Sequence, residues 1–148
     1  MKRRILMTVI LAGILISCNY NDSPDVKTPS VVLNTFQREF PEAIDIRWEE
    51  FKDKYEVEFE YKNIDYSAII ARDGNLIKYK YEILSSQLPE AVNNTIKTNY
   101  DMRKIDDYEI LKIGKITYYQ IEIDGSLMDE KLVFNSTGDQ NPQIKYFD

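Results

Sequence analysis

The stretch "YEVEFEY", Tyr55 to Tyr61, alternates without a break. Tyr55, Val57, Phe59 and Tyr61 fall on one side, and Glu56, Glu58 and Glu60 on the other. A period of two is that of a β-strand with one face toward a core and one toward water. Downstream, "DYSAIIA" and "LIKYKYEI" continue the pattern, joined by Asp73-Gly74, a pair suited to positive φ in a tight turn. The second of these sets Ile77, Tyr79, Tyr81 and Ile83 against Lys78, Lys80 and Glu82. Upstream, "AIDIRW" alternates Ile44, Ile46 and Trp48 against Asp45 and Arg47, which assigns Trp48 to the core. Before it, "SVVLNTFQREFP" spaces Val32, Phe36 and Phe40 four apart, as on one helix face, with Ser30 placed to cap the start and Pro41 to stop the end.

The pattern then restarts. "SSQLPEAVNNTIKTNY" places Leu88, Val92, Ile96 and Tyr100 on a second helix face, with Pro89 in its first turn. "IDDYEILKI" reads as a strand, "YYQIEID" matches "YEVEFEY", and "KLVFNSTG" matches "SAIIARDG": Leu132, Phe134 and Gly138 follow Ala68, Ile70 and Gly74 at a constant interval of 64. "QIKYF" closes as a last strand. The predicted fold is α+β: two tandem α-β-β-β-β repeats, with the helices on one face of an antiparallel sheet. The first repeat spans 30–84 and the second 85–148, together forming the domain 30–148. The 11 tyrosines sit where the core should be and are assigned to packing; a sugar-binding aromatic platform is the alternative.

The N-terminus carries an address. Lys2, Arg3 and Arg4 precede the apolar run Ile5 to Ile16, which is of secretory length and shorter than the roughly 20 residues of a membrane span. The one cysteine in the chain, Cys18, ends "LISC", which resembles the lipobox of bacterial lipoproteins. There the signal is cut just before the cysteine, whose thiol takes the lipid. Residues 1–17 are accordingly read as a lipoprotein signal peptide and 18–29 as a flexible tether rich in Asn, Asp, Ser and Pro. Loss of the three basic residues takes the net charge from −6 to −9. Asn19 follows where an inner-membrane retention signal would place Asp, so the expected location is the outer membrane, by lipid anchor, on its periplasmic or outer surface.

Composition narrows the chemistry. The acidic balance disfavours nucleic acid, and contact with the membrane is expected through the N-terminal lipid alone. With no histidine, the commonest general base and metal ligand is missing. The five glycines form no phosphate-cradling loop, and the acids match no EF-hand. No catalytic residue, metal site or cofactor is predicted.

Several motifs acting together carry a resemblance. They are Phe40-Pro41-Glu42-Ala43, Trp48, Tyr55-Glu56-Val57, Asp73-Gly74 and Leu88-Pro89-Glu90-Ala91-Val92. Their order resembles that of the PepSY-like, β-lactamase-inhibitor-like family of secreted proteins and lipoproteins of Bacteroidetes. The second unit departs from the pattern, with Ser136-Thr137-Gly138 at the turn and no tryptophan. The resemblance covers 30–148 and implies the paired α/β repeats of β-lactamase inhibitor proteins. It carries over no catalytic residues.

The function expected is therefore that of a non-catalytic envelope lipoprotein, a binding module for a protein or peptide, with inhibition of a secreted hydrolase as one form. A ligand- or ion-sensing lipoprotein is the alternative. The candidate partner face is the one turned from the helices: Glu56, Glu58, Glu60, Lys78, Lys80, Glu82 and Glu122, with Gln120 and Asp124 beside them. Its acidity favours a basic partner; as a bland alternative, its Lys and Glu simply pair across strands in water.

Overall fold

The computed structural model describes residues 26–148. The signal segment, Cys18 and most of the tether lie outside the described residues. Helix α1 (Ser30–Glu39) is followed by β1 (Ile44–Phe51), β2 (Lys54–Tyr61), β3 (Ile64–Ala71) and β4 (Leu76–Glu82). Helix α2 (Glu90–Asn99) is followed by β5 (Ile105–Ile113), β6 (Ile116–Ile123) and β7 (Glu130–Phe134). The strands form one antiparallel sheet in chain order, seven strands where the repeat reading counts eight. "QIKYF" is the missing eighth: beyond a lone bridge from Gln140 to Phe134, residues 141–148 leave the sheet plane.

Both helices cover the same face. Val32, Phe36 and Phe40 meet Tyr55, Val57, Phe59, Ala68 and Ile70 in one buried cluster. Leu88, Val92 and Ile96 meet Ile121, Ile123, Leu132 and Phe134 in another. The tyrosines of the first unit belong to this packing, Tyr66 stacking on Tyr81 at 4.8 Å. Each helix begins directly after a proline, Pro29 or Pro89, and neither has a side-chain cap; Ser30 is the first helical residue instead of the cap.

The two units share one close approach. Gly74 follows β3 with φ +88°, and a Cβ there would stand 2.7 Å from Val31 Cγ2 of α1. Gly138 follows β7 with φ +85°, and a Cβ there would stand 2.6 Å from the Ala91 carbonyl oxygen of α2. Left-handed backbone and lack of room both call for glycine. Gly138 thus does in the second unit what Gly74 does in the first, although the Asp before it has become Thr137.

Strand β1 departs from its predicted alternation. Trp48 lies opposite Val57 and edge-on to Phe36 at 5.2 Å, half-buried at the sheet margin instead of fully in the core. Ile44 lies opposite Glu60 and is 54% exposed, and Ile46 is 42% exposed. The cause is a register shift between Ile44 and Arg47, where Asp45 takes φ 52°. One extra residue in a strand sends everything beyond it to the other face.

Candidate functional site

Turns set the registers that build the outer face, the one turned from the helices. Lys62 and Asn63 both have positive φ and close a two-residue hairpin, pairing Tyr61 with Ile64 and Glu60 with Asp65. Tyr66 pairs with Tyr81, which brings Asp65 level with Glu82, and Glu82 pairs with Glu109. Directly opposed residues lie on one face, so four carboxylates from four adjacent strands form a row across the outer face. Like charges in such pairs destabilise a sheet. Burial pushes the Glu82 carboxyl up, and Asp107, Asp65 and Glu109 push it further. Burial also raises Asp107, followed by Asp106 and Glu109.

The neighbouring row is compensated. Arg47 pairs with Glu58 at 2.9 Å, and Lys80 Nζ lies 2.8 Å from Glu109 Oε1. The two rows floor a groove of about 700 Å³. At its acidic end Asp45, Glu60, Asp65 and Glu82 make no ion pair among the described residues, whereas Glu109 is held by Lys80.

One side of the outer face is not open. Residues 144–148 cross it over β4 to β7, and Phe147 is buried there with Leu111, Tyr118 and Val133. Gln120, wholly buried, holds this segment by its backbone: its Oε1 accepts from Phe147 N at 2.8 Å, and its Nε2 donates to Phe147 O at 3.0 Å and to Glu109 Oε2 at 2.7 Å. The Tyr146 hydroxyl lies 3.3 Å from Glu109 Oε2 and 3.4 Å from Glu122 Oε2. Burial and those two carboxylates push the phenol far above its ordinary value, so it stays protonated and donates. Lys78 Nζ stands 3.9 Å from the centre of the Phe147 ring, and burial there lowers its pKa. Lys131 pairs with Asp148.

The candidate residues therefore divide. Glu56, Glu58, Glu60 and Glu82 lie on the open part of the outer face. Lys78, Lys80 and Glu122 point to the same side but belong to the clamp on residues 144–148, as does Gln120, which the wet-face reading leaves in solvent. Asp65, Asp107, Glu109, Tyr146 and Phe147 were missed. The alternation of "YEVEFEY" shows which residues share a face within a strand, but which acids meet across strands depends on register: the Lys62-Asn63 turn sets Glu60 against Asp65, and the β3–β4 and β4–β5 pairings bring in Glu82 and Glu109. Among the described residues no group of His, Cys, Asp or Glu is arranged to hold a metal ion, and no helix is long and apolar enough to cross a membrane.

The outer face has a pH signature. Glu82, Asp107 and Glu56 all hold their protons more tightly folded than unfolded. Their contribution to stability is complete below the ordinary carboxyl value and is lost as pH rises through the raised one. Asp101 acts oppositely: Arg103 holds it near 2, so its contribution fades only in stronger acid. The fold is expected to be more stable near pH 5 than near pH 7. Urea titrations at the two values check this, and a midpoint that falls from pH 7 to pH 5 contradicts it. In the variant Glu60→Gln, Asp65→Asn, Glu82→Gln the difference should shrink.

The fold is that of an inhibitor-like α/β repeat protein. The family model described as "Putative beta-lactamase-inhibitor-like, PepSY-like" matches residues 14–78 and again 75–140, and the chain belongs to that family. Among solved structures it is similar to one from Bacteroides eggerthii described as "putative periplasmic proteins" (TM-score 0.70, 16% identity, 76% of this chain and 85% of that one). It is also similar to a DUF2874 family protein from Bacteroides ovatus (TM-score 0.67, 15% identity, 76% and 83%). A BLIP-like protein from Bacteroides fragilis aligns with TM-score 0.66 and 18% identity over 76% and 82%. At these identities the likeness is one of fold. No curated protein sequence matches the chain.

Proposed function

We propose that this protein is a non-catalytic envelope lipoprotein whose outer sheet face, over β1 to β4, holds a basic segment of a protein partner. The observation that carries the reading is the carboxylate row Glu60, Asp65 and Glu82, continued by Glu109. Among the described residues three of its members make no ion pair, on an open, concave face. A sheet gains nothing from opposing like charges; an arginine- or lysine-bearing segment laid across the strands would neutralise them. Arg47 and Lys80, already paired, leave the groove net acidic. Inhibition of a secreted hydrolase is one form such binding could take, the occluding segment being the enzyme's own.

The test is capture from envelope extract on the immobilised protein at low and high salt. Basic partners should bind at low salt and fall away as screening shortens to roughly 3 Å at 1 M. The variant Glu60→Gln, Asp65→Asn, Glu82→Gln should lose them. Retention of every partner by that variant moves the site elsewhere.

The address in this proposal is an outer-membrane anchor through Cys18, supported by the Lys2-Arg3-Arg4, apolar run and "LISC" order. Mass spectrometry of the mature protein should find a chain beginning at Cys18 and carrying lipid mass. A soluble product with a free Cys18 thiol defeats this part of the proposal and leaves the binding face untouched. The ligand- or ion-sensing alternative has no arranged ligand cluster among the described residues to favour it.

A further inference from the structure

We propose that the outer edge of β1 pairs with the same edge of a second copy, antiparallel about a two-fold axis at Trp48, joining the two sheets into one. β1 is an edge strand of the sheet. Among the described residues no strand pairs with its other side, so a row of backbone N–H and C=O groups is available there. The strand is also unusual in what it exposes. Ile44, Ile46 and Phe51 are 54%, 42% and 64% exposed, and the ring of Trp48 is half-buried.

Charge picks the register. A two-fold axis relating antiparallel edges keeps each residue on its own sheet face, so only residues of one face can oppose each other. From Arg47 to Phe51 the strand pairs with β2 without a slip, which leaves few centres to consider. Centring on Arg47 sets two arginines together and Asp45 against Glu49. Centring on Glu49 or Glu50 sets two glutamates together. Centring on Trp48 sets Arg47 against Glu49 of the other copy, twice, and stacks the two tryptophans over α1 of each copy. Centring on Phe51, the last residue of the strand, runs the pairing into the turn at Lys52 and sets Glu49 against Asp53. Of the five centres only Trp48 is attractive throughout.

The surroundings fit an incoming guanidinium. A hollow of about 460 Å³ beside the edge is lined by Val26, Trp48 and the carboxylates of Glu49, Glu50, Glu56 and Glu58, with Arg47 as its one cation, itself tied to Glu58. Arg47 of the second copy would enter it. Glu56, whose carboxyl is raised by burial and then by Glu49 and Glu58, would be relieved by the same cation. The interface shares Arg47 and Glu58 with the acidic groove, but the groove's variant Glu60→Gln, Asp65→Asn, Glu82→Gln leaves both in place, so the two proposals fail separately.

Sedimentation velocity on the full chain in mild detergent, across a concentration series, tests the inference. The wild type should pass from monomer to dimer as concentration rises. Arg47→Glu and Glu49→Arg should each weaken dimerisation by about tenfold or more, since each places like charges opposite twice. The double exchange Arg47→Glu, Glu49→Arg should restore it. Melting curves of the three variants, with Arg47→Gln as a milder control, confirm that each is folded; both side chains are exposed, so folding should be kept. A monomer at every concentration overturns the proposal. So does a dimer indifferent to either reversal, or one that the double exchange fails to restore.

Discussion

Phe147→Ala is expected to cost about 3–5 kcal/mol, the range for removing a buried phenylalanine ring from a packed core. For a domain of this size that is a fall of roughly 10–20 °C in melting temperature. The ring is 4% exposed and is the centre of the third cluster, on the face where a two-layer α+β protein needs no core. Its loss would leave Leu111 and Val133 under water and remove the body against which Lys78 lies. Phe147→Leu keeps most of the apolar volume and should cost far less. Thermal melts followed by circular dichroism decide it. An unchanged transition in Phe147→Ala would mean that residues 144–148 do not hold the sheet, and that the outer face is open along its whole width. The acidic groove would then be wider, and Lys80 free to compete with a basic partner.

The inner face was legible in the sequence because its signals are local. "YEVEFEY" and its counterpart "YYQIEID" each carry a full alternation, and the two helix stripes repeat the same spacing. The interval of 64 between Gly74 and Gly138 survives because each glycine sits under the first turns of its own helix. Two things were not legible. The slip in β1 depends on Asp45 at positive φ, and no Gly or Asn-Gly marks it. The path of residues 141–148 depends on Gln120, which looks like any polar residue in an alternating strand. "QIKYF" has the composition of a strand, but pairing with the sheet's last edge ends at the Gln140 bridge, before that segment begins. Its aromatics found burial across the face instead. The acidic row was half visible: Glu60 and Glu82 follow from alternation, whereas Asp65 and Glu109 follow from cross-strand register.

Lys80→Ala should be among the most damaging single changes, and the reason separates it from a surface ion pair. Lys80 and Glu109 have side chains only 15% and 8% exposed, and their contact at 2.8 Å is the link between the groove and the clamp. Removing the lysine strands a carboxylate between Gln120 and Tyr146, where both hydrogen bonds it accepts were arranged around its charge. Breaking a buried pair from one side typically costs about 3–5 kcal/mol, mostly the penalty of the charge left behind. The double variant Lys80→Ala, Glu109→Gln should therefore be more stable than Lys80→Ala alone. The glutamine is neutral, and its amide oxygen can still accept from Gln120. Urea denaturation of the wild type, both single variants and the double variant closes the cycle. If the double variant is no more stable than the sum of its parts predicts, the pair is uncoupled and Glu109 is held by the clamp alone. Coupling of about 1 kcal/mol or more would place Lys80 as the residue that keeps Glu109 from joining Glu60, Asp65 and Glu82 as a fourth carboxylate without an ion pair among the described residues. A basic partner in the groove would then meet the carboxylates of Glu60, Asp65 and Glu82, with that of Glu109 reserved for the fold.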